Sequence, residues 1–150
     1  MNTDPWVIRT GNFPDALWDR VCSQIAEPQT ENRFLAYVQF VDDTRYIGKS
    51  IGDVVRMLPD NYPGSFCFIV DDGTFSSDEH TIAVVSFLPE WNEELAGFDR
   101  KPPCEIENKQ IKHFRARPST IQSIQNNLSL ANMDFEDFAN YVDDDGVYRR

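Results

Sequence analysis

"FCFIVDDGTFSSDEHTIAVVSFL", residues 66–88, holds two apolar runs joined by a polar connection rich in Asp and Ser. Neither "FCFIV" nor "TIAVVSFL" alternates apolar with polar residues, as a strand with one wet face would. Continuous runs of this length belong to strands covered on both faces, so this stretch predicts a sheet with helices on each side. Both runs are far short of the roughly 20 apolar residues that span a bilayer, and no membrane association is expected.

Reading outward, "WVIR" at Trp6 to Arg9, "RFLAYVQFV" at Arg33 to Val41 and "IKHFRARP" at Ile111 to Pro118 are further strands. Between them Leu17, Trp18, Val21, Cys22 and Ile25 recur at helical spacing, with Asn12 and Pro14 at the start and Pro28 near the end. Ser50 and Asp53 read as a capping box before Val54, Val55 and Leu58, and Pro59 stops that helix. Ser119 and Gln122 similarly open a helix carrying Ile121, Ile124 and Leu128 on one side. The order β-α-β-α-β-β-β-α-α predicts an α/β (or α+β) fold: one domain over residues 1–150, with a mixed sheet of about five strands and helices packed on it. No repeat or low-complexity segment interrupts it.

Charge narrows the function classes. The formal net charge is -11, which argues against a broad nucleic-acid surface. Its distribution is uneven: from Met57 to Asp99 there are nine acids and no Lys or Arg, and Pro118 to Tyr148 again lacks a base. Between these stretches Arg100, Lys101, Lys109, Lys112, Arg115 and Arg117 form a basic strip that meets Glu105 and Glu107 alone. The strip either pairs with the protein's own acids or leaves acids uncompensated for a basic partner. Cys22, Cys67 and Cys104 form no C-x-x-C pair, and "MNTDPW" lacks a basic stretch leading into an apolar one. Reduced thiols and a cytoplasmic location are expected.

Two segments stand apart. The connection from Pro89 to Gln110 is long for a compact domain and carries Trp91, Glu93, Glu94 and Phe98, so it reads as an irregular loop offering contact residues. At the other end Phe135, Phe138, Ala139 and Val142 stand at i, i+3, i+4 and i+7, which predicts a final amphipathic helix. Asn132 or Asp134 caps it, and Gly146 supplies a left-handed stop. Asp143, Asp144 and Asp145 fall where a helix end disfavours negative charge. They are not an EF-hand: with Gly146 at the sixth position of the loop, Tyr141 would stand at the first. They either close on Arg149, Arg150 or the basic strip, or face a partner or cation.

Five stretches together carry a resemblance: "NNLSLANMDFEDFANYVDDDGVYR", "FRARPSTIQSIQ", "AYVQFVDD", "MLPDNYPGSFCFIVDD" and "DEHTIAVVSF". From Ile8 to Arg149 the chain resembles an uncharacterised family of small acidic proteins, a domain of unknown function found mainly in actinobacteria and some other microbes. The connection at 89–110 is longer than that family leads one to expect. The resemblance implies a compact α/β domain and supplies no activity.

Catalytic motifs are sparse. There is no G-x-S-x-G elbow, G-x-G-x-x-G loop or Walker A sequence, and no cofactor is expected. Because ligands of open α/β sheets gather at the carboxyl ends of strands, Asp42, Asp43, Asp71, Asp72 and His80 are the candidate set for a divalent-metal-dependent hydrolase or phosphoryl-transfer enzyme. Against this, Asp is an ordinary way to begin a turn, and "TRY" and "GTF" follow the two pairs. The leading expectation is therefore a non-catalytic acidic module that binds a basic protein, an immunity or inhibitor protein being one concrete form. Trp91, Glu93, Glu94, Asp143, Asp144 and Asp145 are its contact residues. A homodimer through the Phe-rich final helix is compatible with either reading.

Overall fold

The computed structural model describes residues 3–28, 34–87 and 111–150. In chain order its elements are β1 (Trp6–Arg9), α1 (Asp15–Ala26), β2 (Gln39–Val41), α2 (Ile51–Met57), β3 (Phe66–Val70), β4 (Ile82–Ser86), β5 (Lys112–Ala116), α3 (Ile121–Ser129), α4 (Phe135–Ala139) and β6 (Val147–Tyr148). The strands form one six-stranded sheet in the order β2-β1-β3-β4-β5-β6. β1 is parallel to both β2 and β3, the two central pairings β3 to β4 and β4 to β5 are antiparallel, and β5 to β6 is parallel.

Successive side chains of a strand point to opposite faces, and the sheet has a core on each. On one face Val7, Phe68, Val84 and Phe114 pack against Trp18, Val21 and Ile25 of α1, Ile121 and Ile124 of α3, and Phe135 and Phe138 of α4. On the other, Ile8, Cys67, Ile69, Ala83 and Val85 pack against Val54 and Val55 of α2. Every residue of β4 is buried, which is the consequence the unbroken "IAVVS" run demanded. Placing α1 and α2 on opposite faces also follows from the order of the strands. The chain leaves β1 for β2 on one side and then crosses back to β3, and right-handed crossovers in opposite directions put their helices on opposite faces.

Three local expectations are corrected. The strand expected over Arg33 to Val41 narrows, among the described residues from Phe34 on, to Gln39–Val41, and Arg33 lies outside the described residues. Ahead of it the Tyr37 N–H donates to Gln125 Oε1 at 2.7 Å, and Asn126 Nδ2 donates to the Leu35 carbonyl at 3.0 Å. Side chains of α3 thus take the backbone groups that a ladder would have used. At α1 the Asn12 N–H is held by Asp72 Oδ1 at 2.9 Å, and Pro14 occupies the cap position. The final helix ends at Ala139 instead of running through Val142. A turn follows in which the Gly146 N–H donates to the Asp143 carbonyl at 2.8 Å and the Asp143 N–H to the Val147 carbonyl at 2.9 Å. Gly146, at φ +79°, is left-handed as expected, but it delivers the chain into a sixth strand rather than ending a helix. Val142 still packs on the core with the other members of its stripe.

Candidate functional site

Because β2, β1 and β3 run parallel, their carboxyl ends meet at one edge of the sheet. The strand order reverses between β1 and β3, the position at which open α/β sheets usually leave a ligand crevice. Here the crevice is filled by backbone. Thr10 and Gly11 N–H groups both donate to the Val70 carbonyl, at 2.9 and 3.3 Å. A Cβ on Gly11 would stand 2.7 Å from the Asp72 nitrogen and 2.6 Å from the Phe13 ring, so a residue with no side chain is needed for the two loops to meet.

The carboxylates of the expected metal set arrive at this edge already engaged. Asp42 lies 3.4 Å from Arg9 Nη1, which also donates to Asp15 at 2.8 Å. Arg9 Nη2 donates to the Phe13 carbonyl, and the guanidinium carbon sits 4.6 Å over the Phe13 ring. Asp43 caps the short 3-10 turn Thr44–Tyr46 and takes Nε and Nη2 of Arg45 at 3.1 and 2.9 Å, which holds its carboxyl below the usual range. Asp71 caps the turn Asp72–Ser76 and receives a two-point contact from Arg115, at 2.8 and 3.0 Å. Asp72 holds the Asn12 N–H. His80, in a left-handed conformation at φ 53°, sets Nδ1 3.3 Å from Gln24 Oε1. Among the described residues no three of His, Cys, Asp and Glu are placed to hold one metal ion. Neither thiol among the described residues is poised for attack: burial pushes both Cys22 and Cys67 up to about 12.

The C-terminal acids form a different arrangement. The turn before β6 places Asp143 and Asp145 around Arg149, whose Nη1 donates to them at 2.8 and 3.0 Å. Arg149 also reaches across to Glu79, ahead of β4, with Nε at 2.7 Å and Nη2 at 2.8 Å. Arg117 adds a third donor to Glu79 at 2.6 Å. Closure on Arg149 was one of the two outcomes open to the acid triplet, and the structure adds Glu79, which sequence reasoning did not join to it, together with Arg117 of the basic strip. The signal lay in the charge inversion itself: Lys112, Arg115 and Arg117 of the strip each meet an acid, Glu136, Asp71 and Glu79. Asp78 and Asp144 remain exposed, with no ion pair among the described residues. Three carboxylates therefore share the two guanidinium groups that reach them, and Asp78 and Asp144 add to the negative surplus. Trp91, Glu93 and Glu94 lie outside the described residues, as does Cys104.

This cluster has a pH signature. Hydrogen bonds from Arg149 and Arg117 pull the Glu79 carboxyl from 4.5 down to about 2. A carboxyl depressed in the folded state leaves the unfolded chain to bind the proton first, so its contribution is complete above pH 4.5 and is lost as pH falls toward 2. Unfolding the protein in urea across that window should show stability falling with acid, and Glu79→Gln should flatten the fall. An unchanged slope in the variant would mean that Glu79 is not held by the two arginines in solution.

Residues 4–150 match a family described as a domain of unknown function (DUF6924). No curated protein and no solved structure matches the chain. Among the described residues no helix is long and apolar enough to cross a membrane.

Proposed function

We propose that this chain, which belongs to the DUF6924 family, is an acidic module that binds a basic protein and performs no chemistry of its own. The observation that carries this reading is the surplus of carboxylate left after internal pairing. Asp78 and Asp144 stand in solvent beside the Arg149 cluster, whose two arginines are already paired with Glu79, Asp143 and Asp145. Arginines that hold the flanking carboxylates in place also preorganise them, and a fixed negative face costs a basic partner less ordering than a loose one. Masking the basic site of a toxin or enzyme, as an immunity or inhibitor protein does, is the form of binding such a face suits. Trp91, Glu93 and Glu94 are assigned to the same contact on sequence grounds, as an aromatic anchor with acids beside it.

A short fluorescein-labelled oligolysine tests the reading by anisotropy. It should bind, weaken as salt is added, and lose affinity about 3- to 10-fold in the double reversal Asp78→Lys with Asp144→Lys, while oligoglutamate does not bind. Oligolysine affinity that is absent, or indifferent to both salt and reversal, would remove the reading.

A further inference from the structure

Two β-turns of the same design meet at Arg149. In one the His80 N–H donates to the Ser77 carbonyl at 3.4 Å, and in the other the Gly146 N–H donates to the Asp143 carbonyl at 2.8 Å. Each closes on a left-handed fourth residue, His80 at φ 53° and Gly146 at φ 79°. The second central residue of each turn, Glu79 or Asp145, gives its carboxylate to Arg149. The first, Asp78 or Asp144, stands exposed. We propose that Arg149 is the positioning residue of the acidic face. By gripping both turns it sets Asp78 and Asp144 in one fixed relation, so that the partner must present a pair of cationic side chains together on one segment. The proposal rests on the binding reading above and adds which residue assembles the face and what its occupant carries.

The sheet explains why a side chain has this task. Ala116 of β5 pairs with Ile82 of β4 on one side and Tyr148 of β6 on the other, which brings the turns ahead of β4 and β6 to the same end of the sheet. β5 stands between those two strands, so no ladder of backbone hydrogen bonds joins the turns. Arg149 spans the gap with all three of its nitrogens. Nε and Nη2 reach Glu79 at 2.7 and 2.8 Å, Nη1 reaches Asp143 and Asp145 at 2.8 and 3.0 Å, and Nη2 also donates to Asp145. Arg117 meets Glu79 alone, so among the described residues Arg149 is the one cation that pairs with both turns. A lysine would keep the charge but not the planar fork that holds three carboxylates at once.

Charge and positioning make opposite demands here. Arg149 is a cation within a face offered to a cation, and a partner that answered to total charge alone would bind better without it. A partner that engages Asp78 and Asp144 together gains from having their relation set in advance, because its second contact then forms at high effective concentration.

The test uses fluorescein-labelled oligolysine on the full chain, read by anisotropy, with the charge-neutral change Arg149→Lys. Affinity should fall about 3- to 10-fold. In the parent chain Asp78→Asn and Asp144→Asn should be coupled, the double variant losing less than the product of the two single losses, and Arg149→Lys should make the two independent. A purely structural role for Arg149 would lower stability and leave that coupling in place. Glu79→Gln, which frees one turn while Arg149 keeps the other, should also abolish the coupling, and it carries the test if circular dichroism shows Arg149→Lys unfolded. Unchanged or tighter binding by a folded Arg149→Lys, coupling that survives Glu79→Gln, or independent effects of Asp78 and Asp144 in the parent chain would overturn the proposal and leave the acidic-surface reading standing. Oligolysine that does not bind the parent chain would overturn both.

Discussion

Phe138→Ala should destabilise the fold by about 3–5 kcal/mol, the largest effect expected of any single truncation in the C-terminal third. Phe138 is 1% exposed although α4, which carries it, spans just Phe135–Ala139. A helix this short has little stability of its own, so packing of its apolar face holds it. The ring meets Tyr148 edge-on, with centroids 5.4 Å apart, and Tyr148 belongs to the two-residue strand β6. Removing the ring therefore leaves a cavity and also loosens the strand that carries Arg149 to Glu79. Urea denaturation measures the loss. Leu130→Ala, at a position 70% exposed, serves as the control and should change stability by less than about 0.5 kcal/mol. If Phe138→Ala cost under about 1 kcal/mol, α4 would not be docked on β6 as described.

Arg115→Met should cost about 2–4 kcal/mol, through polar groups left without partners rather than through a cavity. Arg115 leaves β5 and ties two other strands together. Its Nε donates to Thr81 Oγ1 at 3.2 Å and its Nη2 to the Thr81 carbonyl at 2.6 Å, just ahead of β4. Nη1 and Nη2 take both oxygens of Asp71, just after β3. The side chains of Arg115 and Asp71 are 23% and 31% exposed, so water can replace only part of what the guanidinium supplies. Arg115→Lys should recover a minority of the loss, because an ammonium cannot reproduce a planar fork bonded on three sides. A double-mutant cycle with Asp71→Asn gives the decisive measurement: the two losses should be clearly less than additive. Additive losses would show that the pair is not coupled and that the Asp71 turn is held by its own cap alone.

The Arg115 contact also explains how the strand-end acids differ from a metal centre. Sequence reasoning put Asp42, Asp43, Asp71 and Asp72 together if their two strands were parallel neighbours; β2 and β3 do run parallel and end at one edge, but β1 lies between them. What sequence could not supply was which cation answers which acid, apart from Arg45 two positions after Asp43. Arg9 meets Asp42 across 33 positions, Arg115 meets Asp71 across 44, and Arg149 meets Glu79 across 70. No local spacing rule reaches that far, because such pairs form when the sheet brings distant strands side by side.

Local periodicity, by contrast, was sufficient wherever a segment's burial depends on its own pattern. The unbroken runs at Phe66–Val70 and Ile82–Ser86 became strands covered on both faces, and Trp18, Val21 and Ile25 became the buried stripe of α1. Phe135 and Phe138 likewise turned inward together. The pattern misjudged lengths where tertiary partners competed for the backbone. Tyr37 gave its N–H to Gln125 and Leu35 its carbonyl to Asn126, and the chain beyond Ala139 gave its own groups to the turn that opens β6. β6 itself has two residues, too few for any period to register. Alone, then, the sequence determined which side chains leave water, since that depends on spacing along one element. The tertiary structure decided strand order, strand ends and which acids remain unneutralised, since each of these depends on groups that meet only once the sheet is assembled.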